Sequence, residues 1–242
     1  MAWIGVVAFA APGQAQQQVA AGITEPILDV TLSAAVPGLV GAHKVKEGDF
    51  VTESQVVVEL DKKLEELEVD RRKLVVDRLK ADLDATRALF TRTKSVSQEE
   101  LERKETEYKV AVVEHELAKE QLRRRLVVSP LSGIVTRLPL EVGEACQAQQ
   151  PLARIVDTRR CYFISNVEAK AGYRLKVHQA VKLEIEAGSS TVTVSGQIVF
   201  VSPVVDPASG LLRVKVLFDN AEDKIRPGVA GRMAWEEVAD DR

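Results

Sequence analysis

The chain has 242 residues, 45% apolar and 29% charged, with 33 basic side chains against 36 acidic ones. That apolar share can bury a core, which excludes general disorder. The near-cancellation of charge leaves no overall field to recommend nucleic acid or an anionic membrane as partner.

The N-terminal stretch MAWIGVVAFAAPGQAQQQ carries an apolar run from Ala2 to Ala11, followed by small residues in GQA. It is too short to span a bilayer and reads as a signal peptide over residues 1–15. A basic n-region is missing, because Met1 is followed by Ala-Trp-Ile. The other reading is a frayed apolar strand. No cysteine follows the run to carry a lipid anchor. Cys146 and Cys161 are the only cysteines, and their spacing fits neither a metal site nor a disulfide framework.

Residues 24–60 hold short β-branched runs, such as VVVEL, separated by Gly38 and Gly48. The same pattern returns 95 positions later: Gly38 aligns with Gly133, Val40 with Val135, Val45 with Leu140, Gly48 with Gly143 and Gln55 with Gln150. Each copy closes on an acid, Asp61 or Asp157. A repeat of this kind predicts two similar four-stranded halves, 24–60 and 127–158, folding as one small sandwich.

Between the copies, Asp49 to Ser129 contains neither glycine nor proline. Half of residues 61–126 are charged, and most of the others are strong helix formers. Leu60, Leu64, Leu67 and Leu74, then Val76, Leu79, Leu83 and Phe90, predict an apolar stripe on a first helix, with a shift of register near Leu74. Leu101, Tyr108, Val112, His115, Leu122 and Leu126 predict one on a second helix. Val110, Val113 and Leu117 form another line, read either as a contact between hairpins in an oligomer or as exposed valines. The pattern lapses over Thr91–Glu100, and the Ser97/Glu100 spacing predicts a capping box that starts the second helix near Gln98. Residues 61–126 are therefore expected to form an antiparallel coiled-coil hairpin with arms of about 45 Å. Because the two β halves bring its ends together, the insertion costs little more than loop closure.

Residues 159–238 alternate as strands should: TVTVSGQIVFV and LLRVKVLF flank the turn DPASG, with earlier strands supplied by Phe163, Val167, Val181, Leu183 and Ile185.

Chemistry is sparse. His43, His115 and His178 are far apart and lack acids or cysteines at a recurring interval, so no triad or metal site is expected. Arg123–Arg125 suit a helix C-terminus, with a phosphate or lipid role as the lesser reading. Lys62 occupies the turn at which biotinyl and lipoyl carriers present a modified lysine, but a helix leaves from that turn, so a carrier role is not expected. An intact mass increase on Lys62 would reveal one.

The order of parts, VPGLVGAHKVKEGDFVTESQVVVELDKK, charged hairpin, LVVSPLSGIVTRLPLEVGEACQAQQPLARIVD, then GQIVFVSPVVDPASGLLRVKVLFDN and IRPGVAGRM, resembles the periplasmic adaptor (membrane fusion) proteins of the HlyD type. The resemblance runs from about Thr24 to Glu236. It implies a mixed α and β, elongated, multi-domain chain: a split lipoyl-like (biotinyl-like) β-sandwich, the α-helical hairpin, and a β-barrel containing the Arg226-Pro227-Gly228 turn. It also implies a non-enzymatic role without a cofactor, in the periplasm and associated with the inner membrane. The implied partners are an inner-membrane transporter, of resistance-nodulation-division or ABC type, and an outer-membrane channel of the TolC type, with the chain itself in a homo-oligomeric ring. No nucleic acid is expected. At the hairpin tip the family motif has arginine, three residues, leucine, six residues, serine. Ser97 meets the serine; Phe90 replaces the leucine, and Thr86 stands at the arginine position with Arg87 one residue late. The expected docking residues are Ser97, Phe90 and Arg87. With few residues before Thr24 and after the barrel, contact with the transporter is expected to fall to the barrel. A soluble ligand-binding or chaperone-like module built on the same split β domain is the other reading; clustered Met or His would favour it.

Overall fold

The computed structural model describes residues 17–188 and 190–236. The expected signal peptide, 1–15, lies outside the described residues. In chain order the elements are β1 (Gln17–Ser33), β2 (Gly38–His43), β3 (Phe50–Val51), β4 (Val56–Leu60), α1 (Lys63–Arg92), α2 (Gln98–Arg123), β5 (Leu126–Val128), β6 (Gly133–Arg137), β7 (Ala145–Cys146), β8 (Pro151–Glu168), α3 (Ala169–Gly172), β9 (Ala180–Ala187), β10 (Ser190–Val201), β11 (Leu211–Asp219) and β12 (Ala230–Glu236). The chain divides into a unit of Asp29–Val156 and a unit of residues up to Leu28 together with those from Asp157 onward. The fold is mixed α and β, with a helical hairpin and a β-barrel.

In the first unit the repeat appears as paired backbone geometry. Gly48 and Gly143 both adopt φ +93°, and Ser54 and Gln149 sit at +66° and +67°. The Gly48 amide donates to the Val135 carbonyl and the Gly143 amide to the Val40 carbonyl, each at 2.8 Å. The two turns are closed alike, with the Lys46 amide donating to Asp49 Oδ2 and the Glu141 amide to Glu144 Oε2. Each half also lends its shortest strand to the other: β3 pairs with β6, and β7 with β2. The halves are thus interlocked rather than stacked, and the short strands β3 and β7 have only two residues each. Their valines and leucines, among them Val40, Val51, Val57, Leu60, Val135, Leu152 and Ile155, make one core. An alanine at Gly48 or Gly143 has room but would be forced into the left-handed region. Each substitution should cost about 1–2 kcal/mol, and the two costs should match. Chemical denaturation of Gly48→Ala and Gly143→Ala checks this.

The other unit is a barrel in the order β1-β12-β9-β10-β11-β8, closed by pairing of β1 with β8. Residues 24–28 therefore differ from the sequence expectation: they run in the barrel, not in the first β half. Thr24 is buried, its hydroxyl donating to the Val229 carbonyl and accepting from the amides of Gly228 and Val229. It locks the Arg226-Pro227-Gly228 turn. Early in the chain, Gly22 pairs with Gly231 across β1 and β12, and a Cβ at either would press on the Phe163 ring. Such a pairing of chain ends leaves no mark in local periodicity.

Both cysteines are free and buried, Cys146 in the core of the first unit and Cys161 in that of the barrel. Burial, before any other cause, pushes the Cys161 thiol up to about 11.

Candidate interaction site at the hairpin tip

Helix α1 has 30 residues and α2 has 26, so the turn between them lies roughly 40–45 Å along the helices from their roots. Between the helices, Lys94 takes φ +51°, and the Thr93 and Ser95 hydroxyls are 2.6 Å apart. Ser97 caps α2, its hydroxyl accepting from the Glu100 amide at 3.1 Å. The expected capping box is only half formed. The Glu100 carboxylate faces Arg103 in a forked pair, not the Ser97 amide. Its two oxygens gain more from a guanidinium one turn on than from a single amide.

Arg87 reaches across to Glu105 on α2, 2.8 Å away. Phe90 is half-buried, while Ser97 is exposed. The three expected docking residues therefore do not form one free cluster: Arg87 and Ser97 hold the tip together, and Phe90 and Leu89 supply its apolar surface.

The seam keeps the expected pattern at Val76, Leu79, Leu83 and Phe90, and at Tyr108, Val112 and Leu122, and departs from it toward the root. Leu64, Leu67 and Leu74 are exposed, and the seam is built around Leu83, Ala111 and Ala118, with charged residues at its root end. Arg72 bridges Glu68 and Glu114. Arg71 first, then Arg72, lowers the Glu68 carboxyl to about 2. Periodicity counts apolar residues, so it could not register a seam made of cross-helix ion pairs. His115 lies in this seam with its Nε2 buried and unpartnered among the described residues.

The arginine triplet divides its work. Arg123 and Arg124 pair with Glu120 one turn back. Arg125 makes two hydrogen bonds to Glu65 Oε1, at 3.0 and 2.6 Å, and a third to the Pro37 carbonyl at 2.9 Å. It ties both helix roots to the strand entering Gly38. A Cβ at Gly38 would stand 2.6 Å from Nη1, so any larger residue there would push the guanidinium aside. Lys62 pairs with Glu59 and Glu66. Arg125→Ala should cost about 2 kcal/mol, because it strands a half-buried carboxylate, and Arg125→Lys should recover little of this. Urea titration followed by helical circular dichroism reads both.

Elsewhere in this unit a cleft of about 700 Å³ is lined by Asp29, Arg137, Leu140, Gln150 and Arg154, among others. Asp29 and Arg154 satisfy each other there in a forked pair that holds the Asp29 carboxyl below its ordinary range. Among the described residues no group of three or more His, Cys, Asp or Glu could hold a metal, and no helix is long and apolar enough to cross a membrane.

Residues 29–158 match the family described as RND MFP, barrel-sandwich hybrid domain. The chain belongs to the RND membrane fusion proteins. Residues 164–239 match the CusB-like β-barrel domain. The family is one of efflux-system adaptor proteins. Among solved structures, a MacA-MexA chimera carrying the Pseudomonas aeruginosa MexA α-hairpin aligns with a TM-score of 0.80 at 18% identity, over 92% of this chain and 81% of its own. A putative efflux transporter of Bacteroides eggerthii aligns at 0.73 with 20% identity, over 98% and 74%. A membrane fusion protein of Streptococcus pneumoniae aligns at 0.72 with 17% identity, over 91% and 100%. These likenesses concern the fold. An uncharacterised Haemophilus influenzae protein is 24% identical over 213 residues, 88% of this chain and 55% of that protein, so the chain spans about half the length of this relative.

Proposed function

We propose that this membrane fusion protein is a periplasmic adaptor of the HlyD type, joining an inner-membrane transporter to an outer-membrane channel of the TolC type for efflux or secretion. One observation carries the reading: a long, ion-paired helical hairpin is inserted into an interlocked β unit, with its root fixed by Arg125. The β unit is read as the lipoyl-like domain of such adaptors and the hairpin as a coiled coil. The work asked of the chain is mechanical: to hold the tip at a set distance and to seal a conduit. Such work needs rigid elements and contact surfaces, not a reacting group. Transport energy would come from the partner, either a proton-driven resistance-nodulation-division pump or an ABC transporter.

Two apolar lines support assembly into a homo-oligomeric ring. Leu64, Leu67 and Leu74 on α1, and Val110, Val113 and Leu117 on α2, are all more than half exposed. Lines of that kind on a two-helix hairpin leave apolar area that a neighbouring hairpin can cover. The tip, with Ser97, Phe90 and Arg87, is the surface assigned to the channel, and the barrel is assigned to the transporter. Affinity purification of the chain from detergent-solubilised envelopes should recover an inner-membrane transporter and an outer-membrane channel together. Recovery of neither would refute the reading.

A further inference from the structure

One end of the barrel combines exposed apolar side chains with a group of cations. The β8-to-β9 connection contains α3 and continues to Gln179. Its Tyr173 is 78% exposed and its Val177 47%, and Val204, on the β10-to-β11 connection at the same end, is 69% exposed. The two connections meet where the Ala169 amide donates to the Gly210 carbonyl. From Ala169 to Leu183 there are four cations, Lys170, Arg174, Lys176 and Lys182, and no acid. Lys170 and Lys176 are exposed and make no ion pair among the described residues, whereas Lys182 is matched by Glu184. Two exposed acids share this end, Glu168 beside the loop and Glu236 at the end of β12. The acid of the neighbouring loop, Asp206, is committed to its own turn, accepting from the Ala208 and Ser209 amides and the Ser209 hydroxyl.

The loop is held in place. Leu175 is buried, and Gly172 packs against Leu212 and Val167. Tyr173 and Val177 are consequently presented outward by a fixed frame.

We infer that this end of the barrel rests on an anionic lipid surface, with Lys170 and Lys176 at the phosphates and Tyr173, Val177 and Val204 at the depth of the headgroups. Two features favour lipid over an acidic protein face. Lysines with long free stems suit a membrane interface and are depleted in protein interfaces. Tyrosine, amphipathic and largely exposed at Tyr173, suits the headgroup layer. The net charge of −3 is no obstacle, because screening confines the attraction to charges within about 10 Å of the surface.

The test is flotation of the full chain with vesicles of phosphatidylcholine, with and without phosphatidylglycerol. Binding is expected only with the anionic lipid and should weaken as salt rises. Lys170→Ala should lower it about fivefold and the double change Lys170→Ala with Lys176→Ala about 25-fold. Tyr173→Ser should also weaken binding, whereas Lys109→Ala on the hairpin should leave it unchanged. An unchanged thermal midpoint shows that the frame persists. Equal binding by the double variant and the unaltered chain would overturn the inference. So would a double variant that floats normally but no longer co-purifies a transporter, which would assign the patch to a protein.

Discussion

Phe163→Ala is expected to remove about 3–5 kcal/mol from the barrel. The ring is fully buried at the centre of that core, and the paired glycines 22 and 231 leave space for it. Neither neighbouring strand has a side chain at those positions that could swing into the void. A cavity bordered by backbone collapses poorly, which puts the cost at the upper part of the usual range. Phe163→Leu keeps most of the volume and should cost less than half as much. Trp235 is buried in the same core, so its fluorescence during guanidinium unfolding reports the transition directly. A Phe163→Ala midpoint within error of the unaltered chain would contradict this description of the core.

Charging the tip is expected to abolish transport without unfolding the hairpin. Ser97→Asp is chosen because aspartate caps a helix as well as serine does, so the start of α2 survives while a charge is added. Phe90→Asp removes the half-buried ring. If the tip docks on a channel, each desolvated carboxylate should weaken docking by about 2 kcal/mol, or about 30-fold. The double variant should then fail to restore export to cells deprived of the native chain. Restored export at the unaltered level, with normal amounts of protein, would remove the tip from the mechanism.

The sequence made the order of parts legible because each part has its own period: glycine-punctuated short strands, a charged stretch without glycine or proline, then alternation. It also placed the repeat, since Gly48 and Gly143 need the same rare conformation and only glycine takes it cheaply. What it missed depends on partners far along the chain. Thr24 and Gly22 look like ordinary β residues until β12 is laid beside β1. At the hairpin root, Glu65, Arg72 and Arg125 join the helices where leucines were expected, and only Arg125 is marked in the sequence, as a cation at a helix C-terminus. It follows two arginines there and precedes an apolar strand, but nothing local pointed to Glu65 or the Pro37 carbonyl as its partners. Of the tip residues, Ser97 was legible as a cap, and the role of Arg87 in bracing α2 through Glu105 was not.

The most direct measurement is photocrosslinking in cells from a reactive residue at Lys94, the apex of the hairpin, where it leaves the Ser97 cap and the Arg87–Glu105 pair intact. An adduct between this chain and an outer-membrane channel is the predicted result. Adducts confined to inner-membrane proteins or to other copies of the chain would contradict the bridging role.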